Sequence, residues 1–196
     1  MATATTNSTR DQLFHTASQM FCEKGFHATS IRDIAERVGI QGGSIYSHFE
    51  SKDDLLWHIV QHAADRFFAA MRPVSDADMG ITQKLRKAVI THVEVVTSDL
   101  AAAAVYTVEW RHLSPERRAE VTRLRDEYEL IWRTMVDQGI REGYLAASDA
   151  ASASRFILSS LNYLFTWFRP EGPLTAEEVG TLIAEYTFDG LRRRTV

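Results

Sequence analysis

At 196 residues and 45% hydrophobic content the chain can bury a sizeable core, either as one large domain or as a small module joined to a larger one. A net charge of -4 excludes a generally basic nucleic-acid coat, so any contact with nucleic acid has to come from a localised face. Cys22 is the only cysteine, which excludes an intrachain disulfide; the polar start MATATTNSTR has no apolar export segment and no run of about 18 apolar residues follows, so a cytoplasmic protein is expected.

Only four prolines and ten glycines punctuate the sequence, and runs of alternating β-branched residues are missing, so the expected fold is all-α, with about nine helices. The first helix is expected from a cap at Ser8 or Thr9 through Leu13, Ala17, Met20 and Phe21, stopping at Gly25. Ser30 and Asp33 form a capping box for a short second helix with Ile31, Ile34, Ala35 and Val38 on its apolar side and Gly39 as its stop. A third is expected over Gly42 to Phe49. The fourth opens on a box of Ser51 and Asp54 and ends at Pro73, before the polar stretch Val74 to Gly80, the best linker in the chain.

Beyond it, apolar periodicity predicts helices near 82–97 and 99–112, then a long one from Ser114-Pro115, cap and first-turn proline, to Gly143. Two more follow near 149–168 and 176–192, the last opened by a Thr175/Glu178 box. No internal repeat or low-complexity tract is present.

The second and third helices, joined by Gly39-Ile40-Gln41, make a helix-turn-helix candidate. With about 100° per residue, Ile45 and Phe49 point to the core while Gly43, Ser44 and Ser47 lie opposite, flanked by Tyr46 and His48. Gly42 and Gly43 let a helix end approach a phosphate or groove floor closely and offer backbone N–H groups. Lys52 can add a positive charge and Thr29 a hydroxyl on the other side.

Thr29-Ser-Ile-Arg-Asp-Ile-Ala-Glu-Arg-Val-Gly39 and Gly43-Ser-Ile-Tyr-Ser-His-Phe-Glu-Ser-Lys-Asp-Asp-Leu55 closely resemble the DNA-binding module of TetR-type transcriptional regulators. The resemblance implies a helix-turn-helix domain over 1–55 and a ligand-binding and dimerisation domain over 56–196. By position it implies phosphate contacts by Thr29, Ser44, Tyr46, His48 and Lys52, and base-edge contacts from Gln41, Gly42 and Gly43 or from Arg32. Where the family often has Ser, Thr or Glu this chain has Gln41, and Gly42 replaces a common Lys, Arg or Gln, so specificity leans on Arg32, Gln41 and operator shape.

The second half is rich in aromatic residues at helical spacing, and Arg111, Arg133, Asn162 and Arg169 can supply polar groups to a pocket among them. The runs Glu109-Trp-Arg-His-Leu-Ser-Pro-Glu116 and Asn162-Tyr-Leu-Phe-Thr-Trp-Phe-Arg-Pro-Glu-Gly172 are similar to a TetR subgroup that senses acyl-CoA thioesters and controls fatty-acid, sterol or aromatic-acid breakdown. That likeness implies a repressor released by an acyl-CoA. Its tail would lie among Tyr106, Trp110, Trp132 and Phe165, and its phosphates near Trp167 and Arg169.

The family also implies a homodimer through the last two helices, which carry Phe156, Ile157, Leu161 and Leu164, then Val179, Leu182, Ile183 and Tyr186. Double-stranded operator DNA, a small-molecule effector and a second copy are the expected partners, with no membrane.

No cofactor and no metal is expected, although Asp54, His58 and His62 share helical spacing. No nucleophile, base and oxyanion constellation can be nominated, so an enzyme is not expected. The competing readings are a TetR-type regulator of efflux or other genes that senses a lipophile without CoA, an all-α lipid carrier or enzyme, and a protein-interaction module.

Overall fold

The computed structural model describes residues 9–191, and each helix expected from periodicity has an α-helical or 3-10 counterpart there. Among the described residues the α-helices are α1 (Thr9–Lys24), α2 (Ile31–Val38), α3 (Lys52–Asp76), α4 (Ile81–Ser98), α5 (Leu100–Val108), α6 (Pro115–Arg141), α7 (Ala150–Asn162) and α8 (Ala176–Leu191). Short 3-10 segments cover Gly42–Ser47, Glu109–His112 and Leu164–Thr166. Ser8, the alternative first cap, and Arg192, the expected end of the last helix, lie outside the described residues.

Local chemistry accounts for the ends. In α2 the Ser30 Oγ accepts from the Asp33 N–H at 3.1 Å while an Asp33 carboxylate oxygen accepts from the Ser30 N–H at 2.9 Å. Hydrogen bonds to the carboxylate from the Ser30 N–H, foremost, and from the Ser30 side chain hold the Asp33 carboxyl below the usual carboxylate range. Gly39 ends the helix at φ 81°, a left-handed conformation that any side chain would strain. Thr175 and Glu178 cap α8 in the same reciprocal way as Ser30 and Asp33.

Three local expectations are corrected. The element over 42–49 is a six-residue 3-10 segment ending at Ser47, because two glycines and two serines give an α-helix little propensity to propagate. Pro73 lies inside α3, which runs on to Asp76; Ala69, whose carbonyl loses its donor, is exposed, so water can take that bond. The Ser51/Asp54 box is half made: Ser51 Oγ accepts from Asp54 N–H at 3.0 Å, but the Asp54 carboxylate accepts from Glu50 N–H at 3.2 Å.

The chain forms two compact units that do not follow a single cut. One takes the described residues up to Ala63 and also Ala101–Val121; the other takes Ala64–Leu100 and the described residues from Thr122 onward. In the first, Leu13, Phe21, Ile34, Ile45, Phe49 and Leu55 are buried. In the second, α4 packs on α8 and α7, and Leu85, Val89, Leu161 and Phe188 are buried.

The apolar positions of α7 and α8 divide. Ile157, Leu161, Leu164 and Val179 are buried within their own chain, whereas Phe156 and Tyr186 are 61% and 76% exposed. Leu161 therefore belongs to the core and not to an outer face.

Gly180 fixes the approach of α8 to α4: a Cβ there would lie 2.9 Å from the Ile90 Cα, closer than carbon atoms pack. Gly180→Ala should therefore lower thermal stability by about 1–3 kcal/mol, against the gain of about 1 kcal/mol that alanine brings to an unhindered helix. A melt followed by circular dichroism decides it, and an unchanged or higher midpoint would show that the two helices are not so close.

Candidate functional site

The 3-10 segment presents two faces of different chemistry. Ile45 and Phe49 are buried and anchor it, while Tyr46 is 58% exposed and Gly43, Ser44 and Ser47 are exposed beside it. His48 is half-buried. Gln41 precedes the segment with no side-chain capping bond, which leaves its amide available. Ser47 Oγ donates to the Ser44 carbonyl at 2.7 Å.

Arg32 of α2 joins this surface. A Cβ at Gly42 would sit 3.7 Å from the Arg32 Cγ, so the arginine stem passes beside the glycine. At Gly43 an added Cβ would meet nothing within 4 Å, so that glycine leaves open space on the outer face. The structure thus gathers Arg32, Gln41, Gly42, Gly43, Ser44, Tyr46 and His48 on α2 and the segment that follows it.

Two residues expected at the phosphates are engaged elsewhere. Thr29 is only 1% exposed, and its hydroxyl donates toward the carbonyls of Gly25 at 2.9 Å and Met20 at 3.3 Å. It closes the corner after α1 and cannot reach a phosphate with its hydroxyl. The Lys52 ammonium donates to the carbonyls of Phe26 and Thr29, both at 2.9 Å, and lies 4.2 Å from the centre of the Phe26 ring. Partial burial lowers its pKa. Lys52 is a staple across the corner between α1 and α2.

A second tie went unread in the sequence. Arg117 of α6 donates to the carboxylates of Asp53 and Asp54, each at 2.7 Å, and Asp53 also accepts from the Ser114 N–H at 2.9 Å. Glu109 accepts from the Phe26 N–H at 2.8 Å, and His27 Nε2 lies 2.9 Å from His112 Nδ1. The segment 109–117 is thereby clasped to the helix-turn-helix core. Partners more than 60 residues apart leave no local spacing to find them by. The histidines considered as ligands are otherwise placed: His58 Nε2 lies 3.7 Å from an Asp54 carboxylate oxygen, and His62 packs edge-on against Phe14.

The residues expected around a ligand divide between the units. Tyr106, Trp110 and Arg111 belong to the first: Tyr106 is buried, and the exposed Arg111 guanidinium lies 6.0 Å from the Trp110 ring. The second holds the others. Trp132 is fully buried, Arg133 is exposed, and Phe165 stacks on Tyr163 with ring centres 5.7 Å apart. Trp167 and Arg169, with Phe168, Pro173 and Leu174, line a shallow pocket of about 210 Å³.

The second unit also contains a polar cluster inside its core. His92 Nδ1 lies 3.0 Å from the Tyr128 hydroxyl, and the His92 ring meets Phe67 and Trp132 at centre distances of 4.8 and 6.0 Å. Burial pushes the imidazole pKa down to about 3, against a side-chain hydrogen bond with Asn162 that favours the charged form, so the ring is neutral at pH 7. His92 Nε2 and Trp132 Nε1 are buried without a hydrogen bond of ordinary geometry. Each such group costs about 1–3 kcal/mol if it stays unsatisfied.

Residues 13–59 match the family model of tetR-family bacterial regulatory proteins, and residues 78–191, more than half of the chain, match that of the tetracyclin repressor-like C-terminal domain. The chain belongs to the TetR family of bacterial transcriptional regulators. Among TetR-type relatives, the HTH-type transcriptional repressor KstR2 of Mycobacterium tuberculosis is 31% identical over 97% of this chain and 96% of its own. Its solved structure, described as a ketosteroid transcriptional regulator, superposes with a TM-score of 0.89 over 97% of this chain and 98% of that one. PfmR from Thermus thermophilus gives 32% identity and a TM-score of 0.83, covering 93% of this chain and 100% of that one. AibR, solved with isovaleryl coenzyme A and operator DNA, shares the fold at 22% identity and a TM-score of 0.82, over 92% of this chain and 98% of that one.

For a TetR-type module the placement of Lys52 has a measurable consequence. Lys52→Met should lower thermal stability by about 1–2 kcal/mol, since two charge-assisted bonds to backbone carbonyls are lost. The slope of log affinity for DNA against log salt should change little, because two of the three ammonium donors are spent on backbone carbonyls. A flatter slope with undiminished stability would return Lys52 to the DNA surface.

Proposed function

We propose that this TetR-family regulator is a cytoplasmic repressor that binds operator DNA as a homodimer and is released by an acyl-CoA thioester. The observation that carries the DNA part is the exposed face from Gln41 to His48, supported by Arg32 and anchored from behind by the buried Ile45 and Phe49. Ser44, Tyr46 and His48 hold the phosphates, Arg32 or Gln41 meets base edges, and Gly42 and Gly43 permit close approach. Repression follows the name of the KstR2 relative, which is similar over almost the whole chain.

The effector reading rests on the second unit. An acyl thioester needs apolar surroundings for its tail and a cation for its phosphates; the pocket lined by Trp167, Phe168, Leu174 and Arg169 supports both. AibR bound to isovaleryl coenzyme A gives a precedent for such a ligand in this fold. A 100-fold preference of the ligand for the non-binding state amounts to about 2.7 kcal/mol, enough to redistribute a poised equilibrium.

Tyr46→Ala should weaken operator binding in a gel shift at least about tenfold, or 1.4 kcal/mol, while the melting midpoint stays near that of the parent. Wild-type protein should release the same DNA on addition of acyl-CoA but not of free CoA or free acid, and Arg169→Ala should blunt the release. Undiminished binding by the Tyr46 variant would overturn the assigned face. Release by lipophiles that carry no CoA, with none by thioesters, would make the effector a different lipophile.

The dimer is proposed through α7 and α8, on which Phe156 and Tyr186 are exposed and Tyr163 follows at 50% exposure. Phe156→Glu together with Tyr186→Glu should give a folded monomer in sedimentation velocity that no longer retains operator DNA. A wild-type monomer at micromolar concentration that still bound its operator would sink this assembly.

A further inference from the structure

Few cations of the first unit are placed to meet a DNA backbone. Arg37 pairs with Glu23 at 3.0 Å, Arg117 is spent on Asp53 and Asp54, and Lys52 donates to two backbone carbonyls. Arg32 stands beside Gly42, where the 3-10 segment begins. A residue of α1 serves the other end.

Arg10 is exposed in the first turn of α1, and its guanidinium lies over the Phe49 ring, 5.4 Å from the centre. Phe49 is 2% exposed and meets the His58 ring at a centre distance of 5.7 Å, so it is a fixed platform just past the end of the segment. A ring face holds a guanidinium without consuming its N–H donors. Among the described residues Arg10 makes no hydrogen bond and no ion pair, although exposed Glu50 follows Phe49 in the chain.

Arg32 and Arg10 therefore bracket the reading segment. Six residues at the 3-10 rise span about 12 Å, close to the width of about 12 Å of a major groove, so a cation at each end suits the phosphate rows on its two walls. We propose that Arg10 is a phosphate clamp of the operator interface, gripping the DNA backbone beyond the Phe49 end of the segment and reading no base. This rests on the reading of Gln41 to His48 as the DNA face. The guanidinium fork matches two phosphate oxygens, and its platform orders it before DNA arrives.

Fluorescence anisotropy on the full-length protein tests it, with a short duplex enriched by the wild-type protein from a random-sequence library and a shuffled duplex of the same composition. Arg10→Gln should flatten the slope of log affinity against log salt by about one for each protomer on the duplex, about two for a homodimer. Arg10→Lys, which keeps the charge, should retain most of the slope. In the glutamine variant the ratio of affinities for selected and shuffled DNA should stay within about twofold of the wild-type ratio, since a phosphate contact carries no sequence information. An unchanged slope, with or without a lower melting midpoint, would make Arg10 a prop for Phe49 and overturn the clamp. A collapsed ratio would overturn it too, by making Arg10 a base reader. Failure of the wild-type protein to enrich any duplex overturns the clamp and the DNA face together.

Discussion

The first unit depends on one ammonium group. Lys52, at the start of α3, donates to the last carbonyls of the corner between α1 and α2 and sits over the ring of Phe26. A corner of that kind exposes backbone oxygens that no helix satisfies, and a fixed cation is the strongest neutraliser available to them. Phe26, held in turn by Glu109 and stacked against His112, orients the chain into Thr29 and the capped start of α2. The start of α2 therefore inherits its position from these contacts. With two of its three donors on those carbonyls the ammonium is committed mainly to the corner, and the proposed DNA surface leans on Arg32 and hydrogen-bonding groups.

Much of the architecture was legible because helix periodicity and end signals are local. The Ser30/Asp33 and Thr175/Glu178 boxes, the left-handed Gly39 and the Ser114-Pro115 start are written within four residues of each other, and each works as its spacing implies. Misreadings came where a residue's local role has two physical solutions. Pro73 can end a helix or sit in its last exposed turn, and the second requires only that water reach one carbonyl. Lys52 and Thr29 show the limit most clearly. Family position puts both beside DNA, yet a threonine hydroxyl and a lysine ammonium serve equally well to close a corner, and only the fold brings the competing carbonyls within 3 Å.

The ligand residues were harder to read for a related reason. Aromatic side chains at helical spacing look the same whether they fill a core or line a pocket, and composition cannot assign Tyr106 and Trp132 to different units. Sequence reasoning passed over His92, since a single histidine on an apolar helix is most often a satisfied core residue. What sets it apart is the simultaneous burial of the Trp132 indole N–H, a coincidence of α4 with α6 that no one-dimensional pattern records. Asn162 is expected to supply a polar group to a pocket, and its side chain instead hydrogen-bonds the buried His92 ring.

The reading segment has little internal stiffness, which bears on how a regulator of this kind can be selective. A six-residue 3-10 segment with two glycines makes few helical bonds, so its shape is imposed by the buried Ile45 and Phe49 rather than by its own propensity. Gly43 has open space around it and Gly42 has only the stem of Arg32, so the segment offers backbone and small hydroxyls where a long side chain would otherwise reach into a groove. Such a surface discriminates bases weakly by direct contact and strongly by how closely the groove lets the backbone approach. In the proposed dimer that dependence is doubled, because two compliant segments must fit one duplex at a fixed separation. On that proposal selectivity rests mainly on DNA shape and half-site spacing, with Arg32 supplying a guanidinium on this face able to make a bidentate pair to guanine.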